Sequence, residues 1–280
     1  MRKPARPLFL LHRDPLFIER VRTASRPNFI LQPVRDWEEL VAVIRSAPAS
    51  AVAIVDPLHE TNGRPPDIAG ELIALLSLYP SVTVIPALEA GPGSFEIVRR
   101  LGAAGVVQII CTDEDTGPIA IRRRVEAARG RPLKHLIGGS LDPSTSGAAR
   151  AILNATVEVV LDGGGSEQLA KNLFITTRTL LRWSRRAGLP APRRLLLWVR
   201  LLLAAELLDD PGRSISDVAL SCGYSSDGGL RNAFRATVDK SPSRLREEGA
   251  FEDLSGRFLT ALREARTGNV RYRRASTALR

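Results

Sequence analysis

The sequence predicts an α/β domain followed by an all-α domain, the first built on a doubly wound parallel sheet of five strands. Three observations carry this. Short apolar runs alternate with longer amphipathic ones from Leu8 to Gly130, a run rich in Gly and Ser interrupts the chain from Gly138 to Gly147, and the periodicity beyond it is helical almost to the end.

The strand candidates are LFLL (Leu8 to Leu11), NFIL (Asn28 to Leu31), AVAIV (Ala51 to Val55), VTVIP (Val82 to Pro86) and GVVQII (Gly105 to Ile110). Each is bounded by Pro, Gly, Asp or Asn, and their near-continuous apolarity suits strands covered on both faces, as in a parallel sheet. Between them PLFIERVRTA, DWEELVAVIRSA, PDIAGELIALLSLY and GSFEIVRRLGA read as helices, and PIAIRRRVEAAR follows the last strand. The α/β domain is expected over residues 1–135, a linker over 136–147, a helical domain over 148–248 and a basic extension over 249–280. The helical candidates are AARAILNATVEVVLDG, SEQLAKNLF, TTRTLLRWSRRAG, PRRLLLWVRLLLAAELLDD, SISDVALSCG and SSDGGLRNAFRATV. One amphipathic segment, LSGRFLTALREA, precedes the tail NVRYRRASTALR, which is expected to be poorly ordered when free.

A chain of 280 residues that is 44% hydrophobic can fill two cores. Its net charge of +10 is unevenly spread, because Ser166 to the end holds 21 Lys or Arg against 12 Asp or Glu, and the rest holds 19 against 18. A basic domain joined to a neutral one is the electrostatic footprint of polyanion binding. Two cysteines, Cys111 and Cys222, are too few for a disulfide framework, and no His or Cys spacing suggests a metal. The opening MRKPARPLFLLHRDP has too short an apolar run for a signal peptide. The longest apolar stretch, Leu195 to Leu208, is broken by Arg200 and Glu206, so no membrane span is expected and a cytoplasmic location fits.

The segment SEQLAKNLFITTRTLLRWSRRAG has helix-turn-helix grammar. A short helix leads through Leu173 to Ile175 into a second helix capped by Thr176 or Thr177. Ala170 is small where the helices approach, and Leu169, Leu180 and Trp183 are expected to face inward. Thr177, Arg178, Arg182 and Arg185 are left on the polar face, suited to base edges and phosphates. Some forty residues on, SISDVALSCGYSSDGGLRNAFRATV repeats the grammar. Ala219 takes the small position, Gly223 the turn, Ser225 or Ser226 the cap, and Leu230 and Phe234 the inner face. Arg231, Asn232 and Arg235 point outward.

From Ala148 to Glu247 the chain resembles the DNA-binding domain of AraC/XylS-type transcription regulators, most specifically in ISDVALSCGYSSDGGLRNAFRATVDKSPSRLR with its closing Pro242 to Arg246. LPAPRRLLLWVRLLLAAELL resembles that family's linking helix. The resemblance implies that Arg178, Leu181 and Arg182 of the first unit and Asp227, Gly228, Arg231 and Asn232 of the second read bases. There are two departures. Gly228 and Gly229 fall in the first turns of the second recognition helix, each costing about 1 kcal/mol of helix propensity, and Asp239 stands where the family has Gly. The first unit is therefore expected to read bases and the second mainly to clamp backbone. Two units on one chain imply an asymmetric duplex site with recognition helices about 34 Å apart. A monomer suffices for such a site, and homodimerisation is expected, where it occurs, through the N-terminal domain.

The five βα units resemble a response-regulator receiver domain, with Asp56 at the end of AVAIVDP in the phosphoacceptor position. The supporting positions differ from that pattern. His12 with Arg13 stands in place of an acidic pair, Ala87 in place of Thr or Ser, and Ile109 in place of Lys. Phosphoryl transfer to a carboxylate needs a metal, which Arg13 opposes. The expectation is a module that keeps the fold without the chemistry, Asp56 serving the strand-end turn.

The run Gly91 to Ser94 lacks the residues of a phosphate loop and reads as a turn. His12, His59 and His135 have no ligand spacing, Trp183 and Trp198 read as packing residues, Cys222 as core and Cys111 as a buried or strand-end thiol. No nucleophile and base can be assembled, so neither an enzyme nor a cofactor is expected. The reading is a sequence-specific regulator that binds double-stranded DNA. One rival is a response regulator switched at Asp56. The other is a ligand-binding or weakly enzymatic α/β protein with a non-specific basic tail.

Overall fold

A computed structural model describes residues 6–48, 50–59, 68–91, 93–115, 117–128, 131–139 and 145–278. The chain forms two units, Met1–Arg129 with Asp210–Asp217, and Gly130–Asp209 with Val218–Arg280.

In the first unit strands β1 (Arg6–Leu11), β2 (Phe29–Pro33), β3 (Val52–Val55), β4 (Thr83–Leu88) and β5 (Ile110–Cys111) make one sheet in the order β2-β1-β3-β4-β5. All pairs are parallel, with Leu8 opposite both Leu31 and Val52, and Ala87 opposite Ile110. Helices α1 (Pro15–Ser25), α2 (Trp37–Ser46), α3 (Gly70–Leu78), α4 (Ser94–Ala103) and α5 (Pro118–Ala128) cover it. The two-residue period of the strands splits the core. Leu8, Leu10, Val52, Ile54 and Ile85 pack with Phe17 and Val21 of α1 and Ile121 and Val125 of α5. Phe9, Leu11, Ala53, Val55 and Val84 pack with Trp37, Leu40, Leu72 and Ile97 of α2, α3 and α4. Helix starts follow the expected chemistry: Asp14 accepts from Leu16 N and Phe17 N, and Asp36 from Glu39 N.

The last strand departs from the expected Gly105 to Ile110. Gly105 has φ +88° and Val106 N bonds back to Leu101 O, so the chain is still closing α4 there and only Ile110–Cys111 is left to pair at the sheet edge.

The segment Asp210–Asp217 is built into this same unit. Arg213 Nε donates to Asp210 Oδ2 at 2.9 Å with the two side chains 1% and 0% exposed. Ser81 N donates to Asp210 Oδ1 at 2.8 Å, Ser81 Oγ to Oδ2, and Arg213 Nη1 to the carbonyls of Arg45 and Ala47. Gly212 lies so close to Tyr79 that a Cβ there would stand 2.5 Å from the ring.

The second unit is helical: α6 (Arg131–Gly139), α7 (Gly147–Leu161), α8 (Ser166–Asn172), α9 (Thr177–Arg186), α10 (Pro192–Leu208), α11 (Ile215–Ser221, its first residues in the segment above), α12 (Asp227–Val238), α13 (Pro242–Glu248) and α14 (Ala250–Ala278). The expected first domain runs to residue 135, whereas the structure closes its unit at Arg129 and forms α6 across the start of the expected linker. The apolar α10 is its axis, with Leu195, Val199, Leu201, Leu202 and Leu208 fully buried. It touches α6, α7, α8, α9, α13 and α14. Trp198 packs on Phe258 of α14 at 6.0 Å between ring centroids, in the core as the sequence suggests. Where the sequence suggests a loose tail, α14 continues to Ala278: Ala250, Leu254, Phe258 and Leu262 bury its first half, and propagation is cheap once the first turns are fixed.

Candidate nucleic-acid interface and N-terminal cleft

Helices α8 and α9 meet through a turn in which Phe174 N donates to Lys171 O and Ile175 N to Ala170 O. Helices α11 and α12 meet through the same pair of bonds, Gly223 N to Leu220 O and Tyr224 N to Ala219 O. This double closure needs a left-handed residue, and Phe174 (φ 56°) and Gly223 (φ 77°) supply it. Ala170 and Ala219 are both buried at the close approach, and Leu169 and Val218 lie beneath them. The caps are Thr176, accepting from Thr179 N, and Ser226, accepting from Gly229 N. The far ends match too, with Gly188 (φ 70°) after α9 and Asp239 (φ 56°) capping α12. Asp239 thus keeps the conformation of a glycine, which a short polar side chain tolerates.

On α9 the candidates Thr177, Arg178, Leu181, Arg182 and Arg185 are all exposed. On α12 Arg231, Asn232 and Arg235 are exposed while Asp227 and Gly228 are half-buried. Each set has the spacing i, i+1, i+4, i+5, i+8, one face of a helix. Their buried counterparts are Leu180 on α9 and Leu230 and Phe234 on α12. The charges of the two faces differ. Among the described residues no acidic side chain pairs with Arg178, Arg182 or Arg185 on α9, whereas Arg231 pairs with Asp227 at 2.9 Å on α12. Trp183, expected inside, is 39% exposed: Ser184, at 0%, takes the inward place at that turn.

Below these pairs the framework is tied by polar contacts. Arg246 Nε donates to Leu208 O at 2.7 Å, closing the C-terminus of α10, and Asp209 accepts from Ala250 N and Phe251 N at the start of α14. Lys240 and Arg244 both donate to Glu248, which holds that carboxyl down to about 2. Sequence reading misses Phe174, 96% exposed in a strained turn; aligning its turn with that of Gly223 is the signal that finds it.

Residues 169–248 match the family described as "Helix-turn-helix domain". They form a helix-turn-helix domain. The curated relatives include the HTH-type transcriptional activator RhaS of Klebsiella pneumoniae, 32% identical over 81 residues, which are 29% of this chain and 29% of the relative. The Msm operon regulatory protein of Streptococcus mutans is 26% identical over 121 residues, 42% of this chain and 41% of that protein. The chain thus spans well under half the length of the relatives it matches. No solved structure matches it. The helix-turn-helix domain contains α9, α10 and α12 whole, with their exposed faces.

The first unit carries a cleft of about 340 Å³ at the C-terminal ends of its strands, lined by His12, Arg13, Asp56, Glu89, Ser94 and Thr112 among others. In open α/β sheets this is the position from which ligands are reached, beside the switch between β1 and β3. Asp56, 4% exposed, accepts from Leu58 N through Oδ1, the turn-closing bond the sequence suggests. Its Oδ2 lies 2.9 Å from Arg13 Nε, an ion-pair distance without hydrogen-bond alignment. His12 Nδ1 accepts from Asp14 N, and burial holds its pKa below the ordinary value against the pull of Asp56 and Asp14. Ser94 N and Oγ both donate to Gly91 O. Among the described residues no three His, Cys, Asp or Glu side chains converge on a metal position, and no helix is long and apolar enough to cross a membrane.

Proposed function

We propose that the chain is a sequence-specific DNA-binding transcription regulator in which α8/α9 and α11/α12 are two helix-turn-helix units reading one asymmetric duplex site. The observation that carries this reading is the pair of equivalent exposed faces on α9 and α12, each entered through the same turn. The relatives named as a transcriptional activator and an operon regulatory protein support it. Arg178, Leu181 and Arg182 of α9 read bases, Thr177 and Arg185 contact their borders, and α12 clamps backbone through Arg235 and Asn232. Arg231 serves α12 only after leaving Asp227, which weakens the second unit as a reader.

Arg182→Ala is expected to relax preference at one base position and to weaken binding there by about 1 to 3 kcal/mol. Competition binding against a set of single-base variants measures it. Equal weakening on all sequences would place Arg182 on phosphate instead.

The N-terminal unit serves dimerisation, partner contact or sensing without phosphorylation. Its cleft supports sensing, and exposed Phe95, Val107 and Ile119, on α4, the loop before β5 and the first turn of α5, support contact with a partner. A second reading, a switch at Asp56, is favoured by the place of that residue at the strand end in the cleft. Arg13 argues against it, standing where the charge of a metal would be required. Incubation with acetyl phosphate and Mg²⁺ is expected to leave wild type and Asp56→Ala equally unlabelled. Label on the wild type alone would establish the switch.

A further inference from the structure

Phe174 is costly to the free protein on three counts. Its φ of 56° lies in the left-handed region, where a Cβ crowds the following carbonyl and glycine does not. Its ring is 96% exposed, so apolar surface stays in water. The turn does not ask for the residue, because the same two hydrogen bonds are made around Gly223 in the other helix pair. The ring makes no packing contact within the described part of the chain that offsets the strain, which is the pattern of a side chain whose partner is another molecule.

Position and charge identify the partner. Phe174 stands two residues before the cap Thr176, beside the first turn of α9 with its Thr177 and Arg178. The exposed charged side chains of α9 and of the last turn of α8 are all cationic: Lys171, Arg178, Arg182, Arg185 and Arg186. A cationic surface with one apolar projection matches a strand of duplex DNA, where phosphates alternate with deoxyribose rings. We infer that Phe174 packs on a deoxyribose of the backbone flanking the groove that α9 enters, positioning the helix without reading sequence. The inference rests on the DNA-binding reading above and adds a contact to it.

Two variants test it by fluorescence anisotropy, on a duplex selected from a random pool by the wild-type chain and on a scrambled duplex. Phe174→Gly is expected to bind both about tenfold more weakly, the loss of one partly buried apolar ring. The slope of log affinity against log salt stays unchanged, because no charge is removed. The same variant is expected to melt at a higher temperature than wild type, since glycine relieves the left-handed strain. Phe174→Ala loses affinity equally but keeps the strain, and so does not melt higher. Wild-type affinity in both variants would overturn the inference and leave the DNA reading standing. So would a loss confined to one duplex, or a shallower salt slope. A wild-type chain that selects no duplex overturns both.

Discussion

Replacing Asp210 with alanine is expected to cost the N-terminal unit about 3 to 5 kcal/mol of unfolding free energy, because it takes away the carboxylate that a buried guanidinium donates to. The pair it breaks is 0% and 1% exposed, and Arg213 also donates to the carbonyls of Arg45 and Ala47 and lies over the face of Tyr79. In thermal unfolding the change should appear as roughly 10 °C or more. Asp210→Ala with Arg213→Met should recover most of it, since removing both charges removes the desolvation cost as well. A loss below about 1 kcal/mol for the single variant would mean that water reaches the pair. The pH dependence has a definite sign. Burial, the largest influence on Asp210, holds its pKa above the ordinary aspartate value despite Ser81 and Arg213. Folding then favours the protonated form, so what this group contributes declines as pH rises through the carboxylate range. Asp210 is not a source of acid unfolding.

Affinity for duplex DNA is expected to drop about 10³-fold between 50 and 200 mM salt if the two helix pairs together neutralise six phosphates. The cations available are Arg178, Arg182 and Arg185 on α9 and Arg235 on α12, with Arg231 drawn partly back by Asp227. Lys171 at the end of α8 and Arg186 at the end of α9 add to them. Anisotropy titrations across that salt range give the slope. A value shallower than about minus 2 would mean two or fewer phosphates are met, and the charge asymmetry of the chain would then have another cause.

What could be read in advance divides along physical lines. Strands such as AVAIV are legible because burial on both faces forces a continuous apolar run. The end of the sheet was not legible: GVVQII is as apolar as the other strands, yet Gly105 spends its first residues on finishing a helix. The exposed faces of α9 and α12 can be laid out from helical spacing alone, whereas Trp183, expected inside, lies outside, since its ring is large enough to suit either side of the boundary it occupies. Phe174 is hidden because composition signals a left-handed residue only when it is glycine. Arg13 reads from sequence as an obstacle to metal binding, and its pairing with Asp56 is visible only in the structure. The Asp210–Arg213 pair was missed entirely, because DDPGR reads locally as nothing more than a helix end and a turn.

The return of Asp210–Asp217 to the first unit has a practical corollary for anyone dividing this protein. A fragment ending near residue 130 would present Ser81 and the carbonyls of Arg45 and Ala47 with their intended occupants cut away, and Tyr79 with a hole where Gly212 belongs. A fragment beginning there would carry an aspartate and an arginine shaped for a site it no longer owns. Neither half is a self-sufficient piece of the sequence, so failure of either to behave in isolation reports on the scissors and not on the role assigned to that half.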